Sequence, residues 1–346
     1  MRAEGGGTMD RREALRVTAV AGVSVALGGG LVSSLLRQAR LHRVGETRVR
    51  MGTVVTITSV HPDPDEAGRM VSASFDEMER LESLLSRHRP DTPLSRLNET
   101  GVLPDAPPEL IEVVEKALAY SRITGGAFDV SIKPMLDLYA QAFSDAGGAP
   151  TRREIDTAVG YVDYRKIDVG SRSLALRSPG MSVTLDGIGK GYIVDRTIDV
   201  LVASGADRVL VNAGGDMSSA GKGSAKEPWT VSLQDPRDGR AYVELVRLGG
   251  ECVATSGDYM RTFTEDRRFH HIIDPRTGYS PEHTSSVSVI APTAMDADAL
   301  STAVLVLGPE AGCELLEGID GVEGIVVAKD GRQRRTSGLG RHTAPA

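Results

Sequence analysis

The residues best suited to chemistry in this chain form a glycine-rich run between an alternating apolar segment and a helix-like pattern. Residues 183–192 read Val-Thr-Leu-Asp-Gly-Ile-Gly-Lys-Gly-Tyr. Gly187, Gly189 and Gly191 let a ligand approach the backbone, and Lys190 adds a positive charge where helix amide groups point outward. Such a turn can receive a phosphate at a helix N-terminus. The spacing matches neither GxxxxGK[ST] nor GxGxxG, so a plain strand-to-helix turn is an equal alternative.

A carboxylate and a hydroxyl form a second candidate group. Asp298 and Thr302 are four residues apart on a predicted helix, so their side chains share one face. Both could offer hard oxygens to Mg²⁺, which takes few protein ligands and completes its shell with water or substrate phosphate. From the residues alone, the simpler interpretation of Asp298 is a helix-start acid stabilised by the dipole, and Asp296 is a competing cap.

A histidine and a second carboxylate lie in predicted turns. His271 and Asp274 form an H-x-x-D pattern in a turn fixed by Pro275 and Gly278. A histidine beside a pyrophosphate could donate a hydrogen bond or move a proton, and a hydrogen-bonded structural histidine is the alternative. Asp129 follows a predicted helix and could cap backbone amides or hold a ligand hydroxyl.

The composition limits the class of protein. The chain has 346 residues, enough for one large domain or two smaller ones, and 40% of them are hydrophobic. Only 4% are aromatic, and the chain after residue 45 holds 33 basic and 44 acidic residues, a net charge of −11. We therefore expect no nucleic-acid partner. Cys252 and Cys313 have the spacing of neither a disulfide framework nor a metal site.

Residues 1–45, with seven arginines and three acidic residues, resemble an export signal. Arg11 and Arg12 precede a mildly apolar run over residues 17–36, the order of a twin-arginine signal. No clear A-x-A-like cleavage site follows, and the run is long enough to span a bilayer. An uncleaved N-terminal membrane anchor is therefore a second interpretation. An ordinary buried helix is the third interpretation. We expect export to the outer face of the cytoplasmic membrane or an equivalent of the periplasm.

The elements that must position these groups follow from periodicity and turn signals. Helices are predicted over 65–86, 109–124, 188–203 and 296–307, with a short helix opened by the capping box Thr151–Glu154. Strands are predicted over 52–60, 174–185, 208–213, 231–254 with a break at 235–239, and 286–291, with a strand pair or turn over 321–329. Helices and strands are mixed without regular βαβ alternation, which predicts an α+β fold. We expect a loop over 90–108, one domain over 46–331, and a polar tail over 332–346.

Five more motifs occur in a fixed order along the chain. They are Met51–Thr53, Gly126–Ser131, Leu210–Asp216, His271–Gly278 and Asp298–Ala303. Together with the glycine-rich run, they resemble one family, the ApbE-like FAD:protein FMN transferases. The resemblance covers about residues 48–330 and implies a two-lobed α+β protein with the nucleotide in the cleft between the lobes.

The resemblance also implies roles for individual residues. It implies Mg²⁺ bound by the backbone carbonyl of Gly187 together with Asp298 and Thr302. It places Met51 against the isoalloxazine ring and implies catalytic roles for His271 and Asp298. The FAD contacts that it implies are Met51, Ala127, Phe128, Asp129, Thr184, Lys190, His271 and Ile272. The segments 212–216 and 256–259 would shape the cleft, with Asp258 a lesser candidate.

An enzyme of this family transfers the FMN moiety of FAD onto a Thr or Ser hydroxyl of an acceptor protein and releases AMP. The acceptor carries a D-x-x-T-G-A-[ST]-like sequence, which this chain lacks, so we do not expect it to be its own acceptor. Phosphoryl-type transfer depends on positioning and charge neutralisation more than on covalent help. In this interpretation Mg²⁺ neutralises the phosphates, and Lys190 holds a phosphate or another part of FAD.

Two departures from the family pattern and two other functions remain open. Many members have Asp where this chain has Thr184, and Asp186 could substitute for it. Many have an aromatic residue where this chain has His88, so ring stacking at that position is open. The same residues would also suit an FAD pyrophosphatase that yields FMN and AMP, or a non-enzymatic, membrane-anchored FAD-binding protein.

Overall fold

The computed structural model describes residues 41–206, 208–221 and 228–343, and a large antiparallel sheet forms its centre. Its eight strands, numbered along the chain, are β1 (His42–Arg50), β2 (Thr53–His61), β6 (Arg208–Ala213), β7 (Asp216–Gly221), β10 (Cys252–Gly257), β11 (Thr284–Ala291), β12 (Glu323–Ala328) and β13 (Gln333–Arg335). They pair in the order β1-β2-β6-β7-β10-β11-β12-β13. The predicted export signal lies almost wholly outside the described residues.

Two small sheets and the helices complete the described fold. The strands β3 (Val102–Pro104), β4 (Ile167–Val169) and β5 (Ser173–Leu176) pair in the order β3-β5-β4, and β8 (Trp229–Gln234) pairs with β9 (Tyr242–Leu248). The helices are α1 (Pro64–Leu85), α2 (Pro93–Thr100), α3 (Pro108–Ile123), α4 (Lys133–Gln141), α5 (Arg152–Val159), α6 (Gly189–Ala203), α7 (Ala294–Leu307) and α8 (Pro309–Glu317). The predicted α+β class is confirmed.

The helices α6 and α7 form the support of the cleft described below. Helix α7 packs on β10 and β11, while α6 packs on β7, on α1 and on α7. Ten of the fourteen residues of α7 are buried, most of them Ala, Leu and Val. A helix that is buried on nearly every side cannot rotate without exposing apolar surface. Its polar residues Asp298 and Thr302 are therefore held at fixed positions.

The predicted loop over 90–108 is wrong, because this segment contains α2 and β3. Its prolines indicated a loop, yet Pro93 occupies the first turn of α2, where a missing N–H group costs nothing. Thr92 caps that helix by accepting a hydrogen bond from the N–H of Ser95 at 3.0 Å. The strand predicted over 174–185 ends at Leu176, since the turn at 179–180 follows directly.

The strands at the two edges of the sheet extend past the domain boundaries, residues 46 and 331, that the sequence predicts. Strand β1 begins before residue 46, and β13 pairs with β12 beyond residue 331. Both are rich in charged residues, as edge strands often are, so neither shows the apolar alternation that predicts a strand. Leu339, inside the expected tail, is buried against the sheet.

Candidate functional site

One large cleft is lined by every residue for which the resemblance implies a catalytic, FAD-binding or metal-binding role; the lesser candidate Asp258 is not among its lining residues. Its volume is about 880 Å³. Its walls include Met51, Ala127, Phe128, Asp129, Thr184, Gly187, Lys190, His271, Ile272, Asp298 and Thr302. These residues come from segments up to 251 positions apart, Met51 to Thr302, so the fold brings the predicted set together. Their contacts with a ligand remain predictions.

The glycine-rich turn places the start of α6 at the cleft. The residue before the helix, Ile188, gives it no side-chain cap. Gly187, Gly189 and Lys190 line the cleft there. A Cβ atom on Gly187 would lie 3.2 Å from a ring carbon of Phe128 and 3.3 Å from the hydroxyl of Thr302. In this first turn the N–H of Gly189 donates to the carbonyl of Leu185 and that of Gly191 to Asp298 Oδ2, so among the described residues only the N–H of Lys190 stays available there. That N–H group and the helix dipole favour an anion in the cleft.

Two buried carboxylates face one lysine beside this turn. Lys190 Nζ lies 2.7 Å from Asp216 Oδ2. Asp298 Oδ2 accepts a hydrogen bond from the N–H of Gly191 at 3.0 Å, and in the described part of the chain no donor contacts its other oxygen. Burial and the charge of Asp216 raise the pKa of Asp298 well above its usual value. A buried carboxylate with an unused oxygen and a raised pKa suits a cation.

A hydroxyl cluster stands next to Asp298. Thr302 Oγ1 lies 3.2 Å from Ser256 Oγ, which lies 2.8 Å from Ser301 Oγ. Among the described residues, no group of three or more His, Cys, Asp or Glu side chains could hold a metal by itself. A divalent cation in this cleft would therefore combine one carboxylate with hydroxyl, carbonyl and water or substrate oxygens, a set that Mg²⁺ accepts.

His271 lines the cleft and is half-buried. The carbonyl of Arg261 accepts a hydrogen bond from its backbone N–H at 3.0 Å and lies 3.2 Å from its Nδ1. Since a carbonyl only accepts, Nδ1 carries the hydrogen and Nε2 is left unprotonated. Burial and the positive charge of Arg261 lower the pKa of His271 to about 4, so the ring is neutral at pH 7. Its neighbour His270 is fully buried.

Asp129 and Thr184 have local partners in the structure. Asp129 Oδ1 accepts hydrogen bonds from the N–H and the hydroxyl of Ser131, and its Oδ2 accepts one from the N–H of Tyr164 at 3.0 Å. The capping role that the sequence left open for Asp129 is thus present. Thr184 Oγ1 accepts from the N–H of Asp186 at 3.2 Å.

The two departures from the family pattern meet at one ion cluster. Asp186 lies 2.8 Å from Arg87 Nε and 3.7 Å from His88 Nε2. Burial opposes the charge of Asp186, but the hydrogen bond to His88 and the charge of Arg87 hold its pKa well below the usual range. All three residues line the cleft, and the ring of His88 stands there with its Nε2 3.7 Å from the Asp186 carboxylate.

The sequence analysis missed Arg261. It lines the cleft, and its charge acts on Lys190 and on His271. The other lining cations, Arg87, Arg89 and Lys190, each contact a carboxylate, whereas in the described residues no carboxylate pairs with Arg261. No local motif marks this arginine, because its position depends on the loop between β10 and β11 that also carries His271.

Asp258, the lesser candidate, has a structural environment outside the cleft lining. It is fully buried and lies 3.2 Å from Arg237, 3.8 Å from Arg267 and 3.6 Å from Lys329. These contacts join the start of the loop after β10 to the turn between β8 and β9 and to the end of β12. Asp258 thus anchors the loop that carries His271.

The sequence and the fold of this chain match those of known proteins. The model of the ApbE family matches residues 51–326. The chain belongs to the ApbE family. An FAD:protein FMN transferase of Treponema pallidum is 32% identical over 330 residues, which is 89% of this chain and 91% of that protein. The FAD:protein FMN transferase of Salmonella typhimurium is 30% identical over 296 residues, 83% of this chain and 84% of that protein.

Solved structures of ApbE proteins share the fold. The ApbE protein of Thermotoga maritima superposes with a TM-score of 0.79 at 27% identity, covering 88% of this chain and all of that chain. The flavin transferase ApbE of Vibrio cholerae gives a TM-score of 0.78 at 26% identity, covering 87% and 99%. Within the described ranges, none of the helices of this ApbE family member combines the length and apolar character needed to cross a bilayer.

Proposed function

We propose that this protein transfers the FMN moiety of FAD onto a Thr or Ser hydroxyl of an acceptor protein, with release of AMP. The observation that carries the proposal is the convergence, in one cleft, of the start of α6, a buried carboxylate with one oxygen that no described donor contacts, and a neutral histidine. Membership of a family whose curated relatives are FAD:protein FMN transferases supports it.

The backbone of the turn before α6 and Arg261 are suited to hold the pyrophosphate of FAD. The N–H of Lys190, which has no partner among the described residues, and the dipole at the start of α6 favour negative charge. Lys190 is largely neutralised by Asp216, 2.7 Å away, while Arg261 has no such partner among the described residues. We therefore assign the main phosphate-binding charge to Arg261, and to Lys190 a shared role between Asp216 and FAD.

A Mg²⁺ ion fits the oxygens of Asp298, Thr302 and the Gly187 carbonyl. When bound, it would neutralise the phosphates and stabilise the leaving AMP. Asp298 supplies the one carboxylate of this set, and its Oδ2 is oriented by the N–H of Gly191. Thr302 is oriented by Ser256, whose Oγ lies 3.2 Å from its hydroxyl.

His271 is suited to accept the proton of the attacking hydroxyl. Its Nδ1 hydrogen is held by the carbonyl of Arg261, so Nε2 is the free base. A ring that is neutral at pH 7 needs no prior deprotonation before it accepts a proton. The acceptor would be a protein with a D-x-x-T-G-A-[ST]-like sequence. We place the reaction outside the cytoplasm, on the basis of Arg11, Arg12 and the apolar run after them.

One assay separates the proposed activity from its alternatives. The protein is incubated with FAD and Mg²⁺, with and without an acceptor protein, and FAD, FMN and AMP are separated by chromatography. AMP that forms only with the acceptor, without free FMN, is expected. Free FMN and AMP in equal amounts without an acceptor would instead show a pyrophosphatase, and FAD binding without any turnover would show a binding protein.

A further inference from the structure

Asp195 on α6 contacts the first turn of α7. Its Oδ1 accepts a hydrogen bond from the N–H of Ala294 at 2.8 Å, and its Oδ2 accepts one from the N–H of Met295 at 2.9 Å. The residue is outside the cleft lining and belongs to no motif that the function uses. One carboxylate thus bonds two successive backbone amides of a neighbouring helix.

The hydrogen bonds at the start of α7 show what Asp195 contributes. A helix leaves its first four N–H groups without partners inside the helix. In α7 the hydroxyl of the cap residue Thr293 satisfies one of them, the N–H of Asp296, at 3.1 Å, while the carbonyl of Thr293 accepts the first bond of the helix from Ala297 at 3.1 Å. In the described part of the chain, the N–H groups of Ala294 and Met295 bond only to Asp195. The N-terminus of α7 is therefore capped partly by a side chain of α6.

A second contact fixes the same two helices one turn earlier along α6. A Cβ atom on Gly191 would lie 2.3 Å from the carbonyl oxygen of Ala294, so only glycine allows this approach. The N–H of Gly191 also donates to Asp298 Oδ2 at 3.0 Å. Gly191 and Asp195 are four residues apart on one face of α6, and both contact the start of α7.

The oxygens proposed to bind the metal come from α7 and from the turn that precedes α6. Gly187 precedes α6, whereas Asp298 and Thr302 lie on α7. We propose that Asp195 is a positioning residue for the cation site, because its two hydrogen bonds set where α7 starts relative to α6. This role rests on the proposed function, which places a divalent cation between the helices.

The charge of Asp195 is maintained in a crowded acidic environment. Burial and the charges of Asp296 and Asp199 raise the pKa of Asp195 while the two N–H groups lower it, and together they bring it to about 6. The Cys252 thiol lies 3.9 Å from Oδ1. A carboxylate placed at a helix N-terminus is also favoured by the helix dipole. At pH 7 the side chain can therefore accept from both amides.

The test compares two helix caps of the same chemistry. Asp195→Ala removes the cap of α7, and Asp63→Ala removes a matched cap of α1, where Asp63 accepts from the N–H groups of Asp65 and Glu66 at 2.9 and 3.1 Å. Mn²⁺ binding to the full chain is measured by electron paramagnetic resonance with and without FAD. FAD binding without metal and the melting temperature are measured in parallel. Asp195→Asn serves as the milder variant if the alanine variant does not fold.

We expect the Mn²⁺ dissociation constant to rise by about 10- to 100-fold in the Asp195 variants, the usual effect of removing a group that orients metal ligands. Asp63→Ala should lower the melting temperature and leave Mn²⁺ binding unchanged. Metal-free FAD binding should stay as in the wild type in all variants. An unchanged Mn²⁺ constant in Asp195→Asn or Asp195→Ala would overturn this role while leaving the proposed function in place. Absence of Mn²⁺ binding in the wild type would overturn the cation site and this role together.

Discussion

At the scale of single residues, the charge balance of the cleft determines what it can bind. Asp216 and Asp298 are both buried, and Lys190 compensates only one of these negative charges. The remaining charge attracts a cation, while Arg261 and the start of α6 attract an anion. A metal-bound pyrophosphate presents both charges, and this is why the site suits FAD better than an uncharged ligand.

His271→Gln should lower the transfer rate by about 10²-fold or more with the fold intact, because the site loses its proton acceptor. In the wild type the rate should stay level as pH falls from 8 to 5 and then decline toward 4, since the pKa of His271 is about 4. Steady-state rates across this pH range, with circular dichroism for the fold, check both statements.

His61→Gln is the control for this substitution, because His61 does not line the cleft. His270 is unsuitable, since it is fully buried and its replacement should cost stability, although the sequence alone suggests an inert neighbour. Equal, small effects of His271→Gln and His61→Gln on the rate would show that His271 has only a structural role.

Arg261→Ala should raise the KM for FAD by about 10- to 100-fold with a smaller effect on kcat, since a charge-assisted hydrogen bond contributes roughly 1.5–3 kcal/mol. Initial rates over a range of FAD concentrations provide the measurement. Arg268→Ala, in the same loop but paired with Glu282 at 3.3 Å, is the control. An unchanged KM in Arg261→Ala would indicate that Lys190, and not Arg261, is the main phosphate-binding residue.

At the scale of elements, the sequence predicted well those segments whose apolar pattern is strong. Helix α6 begins one residue after its predicted start, because glycine-rich turns and amphipathic periodicity both mark it. The start of α7 was placed two residues late, since Asp296 looked like a cap whereas Thr293 and Asp195 provide the caps. The contacts of Arg261 and of Asp195 arise only from tertiary packing, which no local pattern shows.

Gly191→Ala should destabilise the protein by about 1–3 kcal/mol, the usual cost of overpacking, because the new Cβ would meet the backbone of Ala294. Gly68→Ala on α1 is the matched control, with no atom within 4 Å of its Cβ position. Alanine is the better helix former, so this control should gain up to about 1 kcal/mol. Urea denaturation measures both; a stabilised Gly191→Ala would contradict the close approach of α6 and α7.

At the scale of the whole molecule, the large sheet and α6–α7 provide a rigid support for loops that carry the other site residues. The residues predicted for the site lie within 51–302, so the acidic body of the chain contains the complete cleft. The basic N-terminal 45 residues differ sharply in charge from this body. This separation supports our proposal that the segment before β1 directs export and that the remainder performs the chemistry.

Arg11→Lys together with Arg12→Lys should leave the protein in the cytoplasm, because twin-arginine export requires the arginine pair. Cell fractionation followed by immunoblotting checks the location. Arg37→Lys, beyond the apolar run, is the control and should not alter delivery. Export of the double variant at the wild-type level would point to another route.

The central claim is the transfer of FMN to a protein hydroxyl, and intact-mass spectrometry of the acceptor tests it most directly. The acceptor carries a D-x-x-T-G-A-[ST]-like sequence and is incubated with FAD, Mg²⁺ and either the wild type or Asp298→Ala. We predict that the wild type adds one FMN for each AMP released and that Asp298→Ala adds none. An acceptor of unchanged mass with the wild type, or full modification by Asp298→Ala, would contradict the account.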